Sequence, residues 1–235
     1  MRAEDDAAAT AAALATLGFD SAIAPAIEIR ALAPPLPDGP FDGVVATSPR
    51  AIRALGRGER VRLAATPLYA VGARAAEAAA AAGLAVTSDP AEDAAALVAG
   101  LALRLPPAAR LIYLAGRDRK PALEAALARA GFSVAAVELY AAEARAAWSA
   151  REAGAIAGCN VALHYSRRTA ALALALAVQA GFAPRFRALV HVCLSADVAA
   201  PLLADGASRV VCADAANQAS LFAALQRMFP RASKG

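Results

Sequence analysis

From Phe41 onward the sequence alternates short apolar runs with alanine- and leucine-rich stretches of helical periodicity, a pattern that few architectures accommodate. Read in order, it predicts strand 42–47, helix 49–56, strand 67–71, helix 73–82 closed by Gly83, a short strand 84–87, helix 91–104, strand 110–115, helix 120–130 and strand 132–142. After Tyr140 the alternation resumes, with helix 146–157, strand 159–165, helix 167–180, strand 187–194, helix 196–205, strand 208–213 and helix 216–229. A helix between successive strands makes those strands parallel and covers both faces of the sheet. The fold class is therefore α/β, with doubly wound parallel sheets.

The first 40 residues set the domain organisation. Residues 5–17 read as a helix ended by Gly18, in the position where a left-handed cap is wanted. Phe19 to Arg30 reads as extended, and Pro25 makes it an edge or crossing segment. The stretch Ala33-Pro34-Pro35-Leu36-Pro37-Asp38-Gly39-Pro40 holds four prolines in eight residues and can continue neither helix nor ladder. Ala128-Arg129-Ala130-Gly131-Phe132-Ser133-Val134 echoes Ala15-Thr16-Leu17-Gly18-Phe19-Asp20-Ser21, so a helix, Gly-Phe and extended run brackets the central block. The expectation is a discontinuous outer α/β domain, 1–30 plus 144–235, an inserted α/β domain, 38–135, and connector strands at about 24–33 and 136–143. The outer half opens directly on a helix, so either this half is unusually small or its first strand is missing.

Composition excludes several function classes. Although 59% of the 235 residues are hydrophobic and the mean hydropathy is +0.47, the longest apolar span, Thr169 to Pro184, contains Gln179 and is too short to cross a bilayer. Glu4, Asp5 and Asp6 stand where a signal peptide would carry positive charge. A soluble cytoplasmic monomer is expected. Cys159, Cys193 and Cys212 stand singly, which indicates neither a zinc site nor a disulfide framework. The net charge of +4 is modest, and no basic run interleaved with aromatics suggests nucleic acid. Only Lys120 and Lys234 are lysines; arginine, with its planar fork, is the better partner for carboxylates.

Two stretches carry the candidate chemistry. Val44-Val45-Ala46-Thr47-Ser48-Pro49-Arg50 is an apolar run breaking into hydroxyls and an arginine at the start of a helix, and Val161-Ala162-Leu163-His164-Tyr165-Ser166-Arg167-Arg168 repeats that order. Hydroxyls beside the free N–H groups of a helix start suit a carboxylate or a phosphate, and open α/β sheets bind ligands at the carboxyl ends of their strands. Ser48 as a plain helix cap is the alternative. Gly116-Arg117-Asp118-Arg119-Lys120 and Val71-Gly72-Ala73-Arg74 are further strand-to-helix turns, read as carboxylate-binding loops or as solvated charge. The first lacks any phosphate-loop spacing. His164 and His191 have no partners at metal-ligand spacing, and no nucleophile elbow surrounds Ser166. Tyr140 closes an apolar strand, where a phenol either packs or donates a proton.

Together these residues resemble the uroporphyrinogen-III synthase family. The likeness rests on Gly18, Ala24-Pro25 and Glu28-Ile29, on Thr47-Ser48-Pro49-Arg50, on Val71-Gly72, on Leu111-Ile112-Tyr113-Leu114-Ala115-Gly116, on Gly131 followed by Val137-Glu138-Leu139-Tyr140, and on Tyr165-Ser166. It implies two flavodoxin-like domains joined by a two-stranded connector, with the substrate between them. It further implies no metal and no cofactor, and a linear tetrapyrrole with eight carboxylates as substrate. The family's tyrosine falls on Tyr140, which would assist loss of the terminal hydroxyl from hydroxymethylbilane. The family's domain-facing serines fall on Ser48 and Ser166, with Arg50 beside the first; with the strand-to-helix loops read above, the candidate substrate-binding set is Thr47, Ser48, Arg50, Gly72, Arg74, Gly116, Arg117, Ser166, Arg167 and Ser195. The implied activity is that of a lyase of haem biosynthesis, closing the bilane to uroporphyrinogen III with the last ring inverted. The family's opening strand, which ends in Thr-Arg, is represented only by Met1-Arg2, and the threonine that commonly follows Val-Gly is Ala75. A non-catalytic two-lobed ligand-binding or regulatory module on the same fold is the alternative.

Overall fold

A computed structural model describes residues 4–87, 89–119 and 121–230. The readings that fell on Met1-Arg2, Lys120 and Lys234 lie outside the described residues. In chain order the elements are α1 (Glu4–Thr16), β1 (Ile27–Ala31), β2 (Gly43–Ala46), α2 (Pro49–Ala54), α3 (Arg57–Leu63), β3 (Leu68–Ala70), α4 (Ala73–Ala81), α5 (Ala94–Ala102), β4 (Arg110–Gly116), α6 (Ala122–Arg129) and β5 (Ser133–Ala144). They continue with α7 (Ala150–Ala157), β6 (Val161–His164), α8 (Arg167–Gln179), α9 (Ala183–Arg187), β7 (Val190–Cys193), α10 (Ala196–Ala204), β8 (Val210–Cys212) and α11 (Gln218–Met228). The chain forms two compact units, Ile29–Ala142 and the discontinuous remainder up to Glu28 and from Glu143.

The inserted unit is built on a five-stranded sheet in the order β1-β5-β4-β2-β3, and the pairs β2–β3, β2–β4 and β4–β5 are parallel. Because side chains alternate along a strand, parity sorts its core. Val44, Ala46, Leu68, Ala70, Ile112 and Leu114 pack on one face against Ala51 and Ile52 of α2 and Ala75 and Ala79 of α4. Val45, Tyr69, Leu111, Tyr113 and Ala115 pack on the other against Leu97 and Leu101 of α5 and Leu123 and Leu127 of α6. Burial on both faces is why these strands read as continuous apolar runs rather than as alternating ones.

The discontinuous unit has a three-stranded parallel sheet, β6-β7-β8. Ala162 and Cys193 face a core formed by Ile156 of α7, Ala170, Ala173 and Leu176 of α8, Phe186 of α9 and Leu202 of α10. Val190 and Val192 face Leu14 of α1 and Leu221 and Leu225 of α11. Trp148 fills the first core and donates its indole N–H to the Pro25 carbonyl at 3.0 Å.

Several elements differ from the sequence expectations. Of the extended run 19–30 only β1 forms a ladder; Ala24 and Ala26 are buried as core residues of irregular chain. The short strand at 84–87 reduces to an isolated parallel bridge between Val86 and Leu68. α3 and α9 were not expected, because α3 carries three arginines with only Leu63 buried and α9 carries a proline, Pro184, in its first turn. α7 begins at Ala150, not at 146, where Ser149 and Glu152 close a capping box, a geometry that fixes a helix start by satisfying two orphan N–H groups. The two connector segments lie side by side as β1 and β5: β1 is the edge of the five-stranded sheet, and β5 is also bonded to β4 from Ser133 to Tyr140.

Candidate active site

In the inserted unit the carboxyl ends of β2, β3 and β4 bring together Thr47, Ser48, Gly72 and Gly116. Ser48 caps α2, its Oγ accepting from the Arg50 N–H at 3.2 Å. Thr47 Oγ1 lies 3.0 Å from the Tyr113 hydroxyl, one strand over. Tyr113 is 3% exposed, and burial pushes its phenol above the ordinary value, the Thr47 hydrogen bond offsetting part of that shift. Gly72 caps α4 at φ +80°, a backbone that side chains other than glycine rarely adopt. Arg74 lines a separate groove with Arg53, Arg60 and Glu77.

The loop after β4 is ordered by charge. Arg119 donates to Glu124 at 2.6 Å, to Glu138 at 2.9 Å and to the Gly116 carbonyl at 3.1 Å. Arg117 reaches the other oxygen of Glu138 at 3.2 Å. Arg119, then Arg117, holds the Glu138 carboxyl below the usual carboxylate range. Half-buried Tyr140 sits beside this loop: its backbone carbonyl accepts from the Arg117 N–H at 2.8 Å, and its ring lies over Gly116. The structure thus gathers Tyr140, Gly116, Arg117, Thr47 and Ser48 at one sheet edge. It adds Tyr113 and Glu138, which the sequence does not single out as binding residues, and Arg119, which the sequence offers only as one charge of the Gly116–Lys120 loop. A lone tyrosine inside the apolar run of β4 was the available signal for Tyr113, but its partner sits 66 residues earlier, so only the strand register reveals the pair.

In the discontinuous unit Ser166 and Ser195 cap α8 and α10. Ser166 Oγ accepts from the Thr169 N–H at 3.2 Å and lies 2.8 Å from the Thr169 hydroxyl. Ser195 Oγ accepts from the Val198 N–H at 3.4 Å. Arg167 reaches Asp197 at 3.0 Å, joining the turn after β6 to the first turn of α10. Each capping hydroxyl spends one lone pair on its own helix and keeps capacity for another bond. Among the described residues no cluster of His, Cys, Asp and Glu could hold a metal ion, and no helix is long and apolar enough to cross a membrane.

A family model described as uroporphyrinogen-III synthase HemD matches residues 8–223 of the chain. No curated protein matches the sequence. Among solved structures, uroporphyrinogen-III synthetase from Helicobacter pylori is 14% identical with a TM-score of 0.65, over 86% of this chain and 90% of that one. A mutant uroporphyrinogen III synthase from Thermus thermophilus is 17% identical with a TM-score of 0.50, over 97% and 98% of the two chains. At such identities the structural likeness speaks for the fold.

Proposed function

This chain belongs to the uroporphyrinogen-III synthase family, an enzyme family of tetrapyrrole biosynthesis, and from that membership we propose that it closes hydroxymethylbilane to uroporphyrinogen III as a cofactor-free lyase. The reading is carried by Tyr140, a half-buried phenol set at the carboxyl edge of a parallel sheet, where α/β folds place their ligands. The hydroxyls and arginines around it suit a substrate that carries many carboxylates.

In this mechanism the Tyr140 hydroxyl assists departure of the bilane's terminal hydroxyl as water. The resulting azafulvene is attacked through the substituted carbon of the last ring, and the spiro intermediate fragments and recloses with that ring inverted. Thr47, Ser48, Arg50, Gly72, Arg74 and Arg117 of the inserted unit hold substrate carboxylates or orient the chain, as do Ser166, Arg167 and Ser195 of the discontinuous unit. The bilane closes by itself to the type I isomer, so the protein's task is to fix geometry, which positioning alone can supply. The Glu138 and Asp197 carboxylates hold Arg117 and Arg167 until substrate carboxylates replace them.

The deciding experiment supplies freshly prepared hydroxymethylbilane to the folded protein and separates the oxidised porphyrin isomers by chromatography. Predominantly type III product is expected. Type I product alone, from a folded sample, overturns the reading and leaves the non-catalytic ligand-binding module.

A further inference from the structure

We infer that Gly116 is a positioning residue for Tyr140: its bare α-carbon and a one-residue bulge in β5 together aim the phenol. The inference rests on the proposed reaction for its catalytic meaning, but its geometry stands by itself. Along β4 and β5 the register runs Ala115 opposite Glu138 and then Gly116 opposite Tyr140, so Leu139 is the extra residue. A bulge bends its strand and re-aims the side chains that follow. In regular alternation Val137 and Leu139 would share one face and Tyr140 would take the other. Tyr140 instead packs against the same apolar cluster that contains Val137 and Leu139.

The re-aimed ring needs space, and Gly116 supplies it. A Cβ at position 116 would lie 2.6 Å from Tyr140 Cζ, 2.8 Å from its Oη and 2.9 Å from its Cε2. These separations are shorter than real Cβ contacts allow, and they fall on the hydroxyl end of the ring, not on its root. The backbone of Gly116 is not left-handed, so the requirement is for room and not for conformational freedom. The surroundings are clamped as well: the Arg117 N–H donates to the Tyr140 carbonyl at 2.8 Å, and Arg119 donates to the Gly116 carbonyl at 3.1 Å. With both backbones fixed, a methyl group at 116 is accommodated by swinging the phenol away. Gly116 therefore acts through Tyr140 and not by contacting substrate.

The test compares parent, Gly116→Ala, Tyr140→Phe and the double variant on hydroxymethylbilane, with thermal unfolding recorded for each. Gly116→Ala is expected to stay folded and to lose about 10- to 100-fold in kcat, the scale of a misplaced acid, with KM within about twofold of the parent. In the Tyr140→Phe background the same change should cause no further loss, because the hydroxyl it displaces is already gone. Full kcat in Gly116→Ala, or losses that multiply in the double variant, overturns the inference. Stability gives a readout that does not depend on turnover: Gly116→Ala should lower the unfolding midpoint with Tyr at 140 and leave it unchanged in a Tyr140→Ala background. Equal lowering in both overturns the contact. A parent that yields only the type I isomer refutes the proposed reaction and leaves this stability comparison to decide the geometry.

Discussion

His164 Nε2 lies 3.0 Å from His191 Nδ1, and both imidazoles are fully shielded from solvent. His191 Nε2 is 3.0 Å from the Phe186 carbonyl, which can only accept, so that nitrogen carries the proton and Nδ1 accepts from His164 Nε2–H. His164 Nδ1 is left as a buried acceptor without a partner among the described residues. Phe186 packs edge-on against both rings, so a charge on either would have little to solvate it.

Burial therefore holds His164 well below the ordinary value of 6.5 and lowers His191 from the same value. In the unfolded chain both groups take up protons as the pH falls through that value, while the folded state does not. Stability is accordingly full above about pH 6.5 and is lost on acidification, by about 1–3 kcal/mol at pH near 5.5. Urea unfolding midpoints measured from about pH 7.5 to 5.5 should show this slope. The two histidines are the only ones in the chain, so the His164→Leu/His191→Leu variant should lack it; an undiminished slope would refute the assignment.

Tyr140→Phe removes the proposed proton donor and keeps the ring over Gly116. Turnover should fall by about 10- to 100-fold, at the lower end of what a general acid supplies, because the leaving hydroxyl also departs unaided. Isomer analysis of the residual product is the check, and unchanged turnover would remove Tyr140 from the mechanism.

Asp197→Asn tests whether Arg167 serves the substrate. The pair is exposed, with side-chain accessibilities of 64% and 68%, so its loss should cost no more than about 1 kcal/mol of stability. Freed of its carboxylate partner, Arg167 should bind an anionic substrate better, and KM should drop while kcat holds. A KM that does not move would place Arg167 outside the binding surface.

Glu152 closes the cap of α7 and pairs with Arg145. Arg145 is the main cause of its carboxyl pKa being lowered to about 2. The stabilisation is present above the unfolded value near 4.5 and is lost as the pH falls towards about 2. Glu152→Gln should lower stability by about 1 kcal/mol at neutral pH, the scale of a lost cap. The difference from the parent should narrow on acidification below about pH 4.5; a constant difference would mean that the ionised carboxylate contributes nothing.

The alternation of elements was readable because buried parallel strands and amphipathic helices leave local marks. Val44-Val45-Ala46 and Leu111-Ile112-Tyr113-Leu114 announce strands by themselves, and Ser48 and Ser166 announce the helices they cap. α3 was hidden because its arginines obscure any apolar stripe, and α9 because Pro184, a breaker in isolation, is harmless in a first turn.

By itself the sequence determined the α/β class, the proline break at 34–40 and the serine-capped loops, all of which depend on residues within a turn or two of one another. Only the tertiary structure decided that Tyr113 meets Thr47, that Arg119 and Arg117 share Glu138, and that Leu139 is an extra residue which turns Tyr140 over Gly116. Those relations depend on strand register, and in strands buried on both faces a one-residue shift leaves no trace in the hydrophobic pattern.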